Sequence, residues 1–177
     1  MVVRDLAWGD FRDLAENYYA LYDEVRDNPD LGISLLPDRP SLGEEVDWFA
    51  HLHRGVQEGV VIASVAEEDG RAIGLCTVHR KGPTQESRHI GVLGISVARA
   101  WRAKGIGRAL LAHVIDLCRS NFELLELSVF VSNTRARELY RSVGFRSWGV
   151  LPNGILREGR RTDLEHMFLE LEHRPSK

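Results

Sequence analysis

The chain has 177 residues, a mass of 20.0 kDa and a formal net charge of −3, with 44% hydrophobic and 28% charged residues. A chain of this size buries roughly 70% of its unfolded surface, so we expect one compact domain over residues 1–177 and not a disordered chain. A pI near 6.2 also lacks the basic excess of a general nucleic-acid binder, so no nucleic-acid partner is expected.

The first residues, the uncharged runs and the cysteines predict the cellular compartment of the protein. Residues Met1 to Asp5 include an acid and no continuous apolar segment, which argues against a signal peptide. No uncharged run in the sequence exceeds ten residues, which is far shorter than the ~20 residues of a membrane span. Cys76 and Cys118 stand in apolar runs and are expected to be reduced, with a disulfide between them as the alternative. These features predict a cytoplasmic protein with no membrane partner.

Apolar patterns predict an α/β fold in the order β-α-α-β-β-β-α-β-α-β-β, which indicates a mixed sheet flanked by helices. The predicted elements are a strand at 2–6, helices at 10–28 and 42–57, strands at 60–66, 72–78 and 89–97, a helix ending at 118, a strand at 124–131, a helix at 133–143, and strands at 145–150 and 163–172.

Two local signals support the first half of this order. Ser41 and Glu44 form a capping box that starts the helix 42–57, whose predicted inner stripe is Val46, Phe49, Ala50, His53 and Val56. Asp69-Gly70 joins two strands as a tight hairpin. The loop 27–40 carries apolar residues that a solvated linker would not need, so we expect it to cover another part of the protein.

The segment Val97 to Ala109 connects the strand 89–97 to a helix through two glycines, Gly105 and Gly107. Glycines let the backbone approach an anion closely, and the free N–H groups at the following helix start donate to it. We therefore predict a diphosphate cradle here, with a simple tight turn as the alternative. Cations surround the predicted cradle: Arg99, Arg102, Lys104 and Arg108.

Two other phosphate motifs fit this segment poorly. The phosphate loop of nucleotide hydrolases needs Gly-Lys-Ser/Thr, whereas Gly107 is followed by Arg108 and Ala109. A dinucleotide fingerprint needs a third glycine where Leu110 stands.

Arg102, Gly105 and Gly107 match the signature Arg/Gln-x-x-Gly-x-Gly/Ala of the GNAT acetyltransferases. The run from Asn133 to Phe145 matches a second pattern of that family, Asn-x-x-Ala-x-x-Leu-Tyr-x-x-x-Gly-Phe. The sequence therefore resembles the GNAT family, most strongly over 91–149. The resemblance implies a mixed, mostly antiparallel sheet that splays between its fourth and fifth strands. The pantetheine arm of acetyl-CoA enters this split and covers the strand edges.

The resemblance also implies roles for particular residues. The main chain of Val97 pairs with pantetheine, the amides of the signature bind pyrophosphate, and Tyr140 protonates the departing thiolate as general acid. The spacing alone leaves two alternatives open: Tyr140 as a core tyrosine whose hydroxyl is satisfied, and Asn133 as a simple helix cap. The expected cofactor-binding residues are Ile95, Val97, Arg102, Ala103, Lys104, Gly105, Ile106, Gly107, Arg108, Ala109, Asn133 and Tyr140.

The resemblance does not identify the general base. Many relatives carry a glutamate on the strand that matches 89–97, and this strand has no carboxylate. His89, at its start, is a candidate because histidine titrates near neutral pH, with a surface histidine as the alternative. Further candidates, each alternatively part of a solvated face, are Glu86, Asp163, Glu165 and His166.

We expect direct acetyl transfer from acetyl-CoA to a primary amine of a small molecule or peptide, within one ternary complex and without a covalent enzyme intermediate. No metal is expected, because the histidines lack zinc-site spacing. The alternatives that stay open are a catalytically silent acyl-CoA-binding or sensor module and, for assembly, a homodimer. The acceptor is expected to lie among Tyr18, Tyr19, Tyr22, the loop 31–36 and the turn 153–162.

Overall fold

The computed structural model describes residues 1–28 and 31–172, and its elements follow the predicted order. No helix among them is long and apolar enough to span a bilayer. The elements are β1 (Val2–Asp5), α1 (Phe11–Asp27), α2 (Leu42–Gln57), β2 (Val61–Glu68), β3 (Arg71–Arg80), β4 (Ile90–Val97), α3 (Ile106–Cys118), β5 (Leu124–Phe130), α4 (Thr134–Ser142), β6 (Arg146–Arg157) and β7 (Arg160–Glu170).

The strands form a seven-stranded sheet in the order β1-β2-β3-β4-β5-β7-β6. All neighbours are antiparallel except β4 and β5, which run parallel. This parallel pair extends only from Ile90 with Leu124 to Val92 with Glu126. Beyond these positions the two strands separate toward their carboxyl ends, so the predicted split between the fourth and fifth strands is present.

Two apolar cores cover opposite faces of the sheet. Val65 and Ala66 are adjacent on β2, yet they belong to different cores because successive strand side chains point to opposite faces. Ala66 lies in the core built on α3, which contains Leu110. Val65 lies in the core that α1 and α2 cover with residues such as Leu14 and Phe49. The split therefore opens between a layer formed by α3 and a layer formed by α1 and α2.

Both cysteines are buried free thiols in the core beneath α3. Burial raises the pKa of Cys76, with a smaller contribution from the nearby Cys118, and burial raises the pKa of Cys118 to about 12. A thiol with so high a pKa is a weak nucleophile at neutral pH. Neither cysteine is therefore suited to covalent catalysis in the folded protein.

The last hairpin is longer than predicted. β6 continues to Arg157 and β7 begins at Arg160, so the strands reach the turn at Glu158 and Gly159, whose φ angles are 47° and 77°. The pairing register shifts between Leu151 and Ile155. This irregularity interrupts the side-chain alternation and explains why the pattern predicted a strand end near residue 150.

Candidate active site

A cavity of about 970 Å³ occupies the split between β4 and β5 and reaches the layer formed by α1 and α2. The cradle half of this cavity is lined by Ile95, Val97, Arg102, Ala103, residues 105–108, Asn133, Arg135, Ala136, Leu139 and Tyr140. The α1/α2 half is lined by residues such as Leu14, Asn17, Tyr18, Leu21, Leu31, Gly32, Ile33, Ser34, Leu36, Glu45 and Trp48.

The main chain of β4 faces the split at alternate residues. The N–H of Ala98 donates to the carbonyl of Ile73 on the β3 side at 2.9 Å. Ladder bonds alternate along an antiparallel strand, so Ile95 and Val97 direct their N–H and C=O groups away from β3 and toward the split. The edge that these two predicted cofactor-binding residues present to the cavity pairs with no strand of the described residues, and of its groups the carbonyl of Val97 accepts a hydrogen bond from Arg102.

The opposite edge of the split belongs to β5. The N–H of Val131 donates to the carbonyl of Asp163 at 3.0 Å, which sets the alternation of β5 against β7. Ser128 and Phe130 consequently direct their main-chain groups toward the split. The cavity is thus bordered by two strand edges that an extended, amide-containing ligand can bridge.

The start of α3 supplies a set of free N–H groups. Gly105 is the N-cap and has a φ of 82°, a left-handed conformation that glycine adopts without strain. The N–H of Ala109 donates to the carbonyl of Gly105 at 3.1 Å and closes the first helical turn. The amides of 106–108 precede this bond and have no acceptor within the helix. They lie at the cavity wall, as predicted for an anion cradle.

Ala109 does not share this position. Its amide is already bonded to Gly105, and it is not among the described residues that line the cavity. The free N–H donors of the predicted set are therefore those of residues 106–108. The first helical hydrogen bond uses the N–H of Ala109, so Arg108 is the last residue with a free N–H. The glycine spacing alone does not locate this bond.

Arg102 is engaged inside the protein and is not free for a phosphate. Its Nε donates to the carbonyl of Val97 at 2.8 Å, and its two terminal nitrogens donate to the carboxylate of Glu24 at 2.6 and 3.1 Å. Glu24 is only 8% exposed. The ion pair fastens the glycine segment to α1. The bond from Nε occupies the carbonyl of Val97 and leaves the N–H of Val97 directed at the split.

The other predicted cations differ in position. Nζ of Lys104 lies 4.6 Å from the centre of the Trp101 ring, and Lys104 is not among the described cavity-lining residues. Arg108 lines the cavity, as does Arg135 of α4, to which the sequence analysis assigned no role. Arg108 and Arg135 are thus placed to compensate an anionic charge in the cradle half.

Tyr140 lies on α4 with its side chain at the cavity wall and only 9% of the residue exposed. Its ring packs edge to face on Phe145, with 6.0 Å between centroids. Within residues 1–28 and 31–172, its hydroxyl has no hydrogen-bond partner. Burial, with a smaller contribution from Cys76, raises the pKa of Tyr140 to about 12, so the hydroxyl is protonated at neutral pH. This arrangement favours a proton donor over a core tyrosine with a satisfied hydroxyl.

Asn133 caps α4 and also holds the loop 31–36. Its Oδ1 accepts from the N–H of Ala136 at 3.1 Å, and its Nδ2 donates to the carbonyl of Gly32 at 3.1 Å. A Cβ added at Gly32 would lie 2.5 Å from the Cβ of Asn133, so this close approach requires glycine. Arg157 of β6 donates to the carbonyl of Leu31 at 2.8 Å. The loop therefore lies over the cavity, as its apolar residues predict.

His89 is not brought to the cavity. It is exposed at the amino end of β4, where β4 and β5 are still paired, whereas the split opens near Val97 at the other end. At ~3.3 Å per residue, the two positions are about 26 Å apart along the strand. The structure therefore does not support His89 as the general base.

The four further base candidates are not among the described residues that line the cavity; they are Glu86, Asp163, Glu165 and His166. Glu165 is ion-paired with Arg137 and, at 3.0 Å, with Arg141; burial would raise the pKa of Glu165, but bonding to these cations lowers it. Glu86 is exposed on the loop before β4. Asp163 accepts from the N–H of Asn153 at 2.8 Å, and His166 pairs with Ser128 Oγ at 2.8 Å. Asp163, Glu165 and His166 thus bond to groups of the sheet and its neighbouring elements, and Glu86 faces solvent.

Part of the predicted acceptor region contributes to the α1/α2 half. Tyr18 and the loop 31–36 line it. Tyr22 and Tyr19 are not among the described lining residues: the Tyr22 hydroxyl donates to the carbonyl of Asp38 at 3.2 Å, and the Arg39 guanidinium lies 4.0 Å from the centre of the Tyr19 ring. From the stretch 153–162, Ile155 reaches the cavity.

The helix α2 contributes residues that the sequence analysis missed. Its buried positions are Glu45, Phe49, Leu52 and Gly55, and Val46 of the predicted inner stripe is 40% exposed. The true stripe thus begins one residue earlier, and it places Glu45 at the cavity wall. A signal was available, because Glu45 precedes Phe49 and Leu52 by four and seven residues, which is the spacing of one helix face.

Glu44 and Glu45 have opposite environments. The exposed Glu44 accepts hydrogen bonds from the Ser41 N–H at 2.8 Å and the Ser41 hydroxyl at 2.7 Å, and this bonding, the backbone bond first, lowers its pKa. For Glu45, burial followed by the charge of Glu44 raises the pKa. The described part of the chain contains no group of three or more His, Cys, Asp and Glu side chains suited to a metal ion.

Comparison with known protein families and curated proteins places this cavity in context. The family model "Acetyltransferase (GNAT) family" matches residues 8–145. L-amino acid N-acetyltransferase AaaT of Escherichia coli (strain K12) is 31% identical over 105 residues, which cover 58% of this chain and 64% of that protein. N-alpha-acetyltransferase RimI of Mycobacterium tuberculosis (strain ATCC 25618 / H37Rv) is 36% identical over 85 residues, which cover 48% and 52%. The chain thus spans between half and two thirds of the length of these relatives.

Solved structures match over nearly the whole chain. Ribosomal-protein-alanine N-acetyltransferase from Brucella melitensis has a TM-score of 0.81 at 27% identity, covering 97% of this chain and 100% of that one. The acetyltransferase yncA of Salmonella typhimurium, solved with its cofactor acetyl-CoA, has a TM-score of 0.80 at 21% identity, covering 99% and 96%. The latter identity is low, so that likeness shows the shared fold alone.

Proposed function

Because this chain belongs to the GNAT acetyltransferase family, we propose that it is an acetyl-CoA-dependent N-acetyltransferase acting on the primary amine of a small molecule or a peptide N-terminus. The observation that carries this proposal is the meeting of the amides 106–108, the edge of β4 at Val97 and the Tyr140 hydroxyl in one cavity. The names of two relatives, an L-amino acid acetyltransferase and an N-alpha-acetyltransferase, support an amine acceptor.

The cavity has the groups that acetyl-CoA needs. The amides of 106–108 would hold the pyrophosphate, since a helix start offers free donors and a positive dipole end. Arg108 and Arg135 at the same wall would balance the phosphate charge. The strand edge at Ile95 would pair with the amides of the pantetheine arm as an added strand does, and the N–H of Val97, whose carbonyl accepts from Arg102, is left for the thioester.

The chemistry follows from where these groups stand. The amine nitrogen forms a bond to the thioester carbonyl carbon while the carbon–sulfur bond breaks, giving an acetamide and the free thiol of CoA. The N–H of Val97 faces the split and would stabilise negative charge that develops on the carbonyl oxygen. Tyr140 would donate its proton to the sulfur as the thiolate leaves.

The high pKa of Tyr140 fits a relay better than a one-way donor. A phenol with a pKa of about 12 is a weaker acid than a thiol, whose usual value is near ~8.5, so the phenolate recovers a proton readily. The nitrogen that has formed the amide bond carries a proton to lose. We infer that Tyr140 takes up a proton from this nitrogen as it gives its own to the sulfur.

The protonation of the acceptor limits which amine reacts. At pH 7, losing a proton costs a lysine-like amine about 4.6 kcal/mol and an α-amine about 1 kcal/mol, from reference pKa values of ~10.4 and ~7.8. Among the described residues, β4 brings no carboxylate or histidine to the split. An α-amine or another amine of low pKa is therefore the better acceptor.

The direct test is release of the CoA thiol from acetyl-CoA with a panel of amines: amino acids, amino acid amides, polyamines, aminoglycosides and peptide N-termini. The proposal predicts release above the amine-free rate with at least one class, and acetylated product by mass spectrometry. Tight binding of acetyl-CoA with no amine-dependent release would indicate instead a silent acyl-CoA-binding module.

A further inference from the structure

Glu45 is a buried carboxylate that has no partner among the described residues. It is 4% exposed and lines the α1/α2 half of the cavity. In the part of the chain that the structure describes, its carboxylate accepts no hydrogen bond and pairs with no cation. Removing a carboxylate from water without a partner is unfavourable, and here it raises the pKa of the group. We therefore look for the cation that stabilises the Glu45 carboxylate among the ligands of the cavity.

Capping of the helix start does not account for this carboxylate. Its neighbour Glu44 completes the capping box with Ser41, so the start of α2 is already satisfied. Buried ionised groups in the same protein are paired: Glu24 binds Arg102, and Glu165 binds two arginines. Glu45 differs from them in facing open space.

The groups near Glu45 suit an organic cation. Tyr18 and Trp48 line the same half of the cavity. The charge of Glu45 also contributes to a raised pKa of Tyr22, after burial and the interaction with Tyr18, which places the carboxylate close to this tyrosine pair. A carboxylate among aromatic rings binds alkylammonium groups through ion pairing and cation–π contact.

The same half of the cavity offers little to an anion. The guanidinium groups at the cavity wall of the described residues belong to Arg102, Arg108 and Arg135. Arg102 is paired with Glu24, and the other two lie in the cradle half. A carboxylate attached next to the reacting amine would thus approach Glu45 without a cation to neutralise it.

We propose that Glu45 binds the ammonium group of the acceptor, and that the α1/α2 half selects primary amines without an adjacent carboxylate, such as amino acid amides and peptide N-termini. The inference rests on the proposed function for the identity of the reaction, but the binding site itself can be tested without turnover. Leucine amide and free leucine are the matched probes, because they differ only at the group that Glu45 would repel.

The experiment compares the wild type with Glu45→Gln, Glu45→Asp and the control Asp47→Asn. Asp47 is exposed on the same helix and is not among the described residues at the cavity wall. For each protein, kcat and KM are measured with leucine amide and with leucine, leucine amide binding is measured by calorimetry in the presence of CoA, and the melting temperature is recorded.

The wild type should use leucine amide at least ~10-fold better than leucine in kcat/KM. Glu45→Gln should weaken the binding of leucine amide, raising its KM and Kd about 10-fold or more, as the loss of a charge-assisted hydrogen bond does. Glu45→Asp should retain part of the binding, and Asp47→Asn should match the wild type. The melting temperature of Glu45→Gln should not fall, because an unpaired buried charge is removed; a structural role predicts a fall.

The outcomes separate the two proposals. Binding of leucine amide that depends on Glu45 without any thiol release would contradict the acetyltransferase function and leave this site standing. Turnover with unchanged KM in Glu45→Gln, equal use of leucine and leucine amide, or no binding of leucine amide by the wild type would each overturn the role of Glu45.

Discussion

Arg102 and Glu24 are 78 positions apart in the chain, and their side chains form a two-pronged ion pair with N···O distances of 2.6 and 3.1 Å. The pair holds the glycine segment against α1 at the edge of the cavity. The arginine of the family signature therefore holds the glycine segment in place in this structure. We expect the cradle amides, and not this guanidinium, to meet the phosphates.

Arg102→Ala should therefore destabilise the fold more than it weakens a phosphate contact. Glu24 would be left buried and unpaired, which costs about 3–5 kcal/mol. A denaturant titration measures this loss, and combining the change with Glu24→Gln should recover part of it because the orphaned charge is removed. A variant with wild-type stability and weak acetyl-CoA binding would assign Arg102 to the phosphates instead.

Gly107 allows a test of the cradle with a matched pair of variants. A Cβ at this position would lie 3.0 Å from Cδ2 of Leu139, the end of a flexible side chain, so Gly107→Ala should be accommodated. Gly107→Asp adds a negative charge where the pyrophosphate would lie, and like charges in contact cost several kcal/mol. We expect acetyl-CoA to bind Gly107→Asp ~100-fold or more weakly than Gly107→Ala by calorimetry. Equal affinities would place the pyrophosphate elsewhere.

The pKa of Tyr140 predicts the alkaline limit of turnover. An ordinary tyrosine is half ionised near pH ~10 and would lose its proton there. Because burial raises the pKa of Tyr140 to about 12, only about 1% is ionised at pH 10, and the proton-bearing form persists. At saturating substrates, kcat should therefore show no decline centred near pH 10. A fall of half at that pH, in a protein still folded by circular dichroism, would contradict the retained proton.

Most of the fold could be predicted because its signals are local. The capping box of Ser41 and Glu44 and the Asp69-Gly70 turn each involve a few adjacent residues, and the structure has both. The ends of β6 and β7 could not be predicted in this way. The register shift between Leu151 and Ile155 depends on the pairing of β6 with β7, which follows it in the chain.

The site was predictable where one segment carries it and not where distant segments meet. The glycines of the cradle follow from spacing and Tyr140 from the family resemblance, and the structure brings them to one cavity. The pairing of Arg102 with Glu24 and the burial of Glu45 arise from the packing of α1 and α2 on the sheet, which no local pattern specifies. His89 lies away from the cavity because the split opens at the other end of its strand.

The most direct test of acetyl transfer in this cavity is a comparison of Tyr140→Phe with the wild type on matched preparations. The ring still packs and the proton donor is lost, so kcat for amine-dependent thiol release should fall ~100- to 10,000-fold. The acetyl-CoA affinity and the melting temperature should stay near their wild-type values, because the hydroxyl has no partner among the described residues. Full turnover by a folded Tyr140→Phe variant would contradict the account and remove Tyr140 from the chemistry.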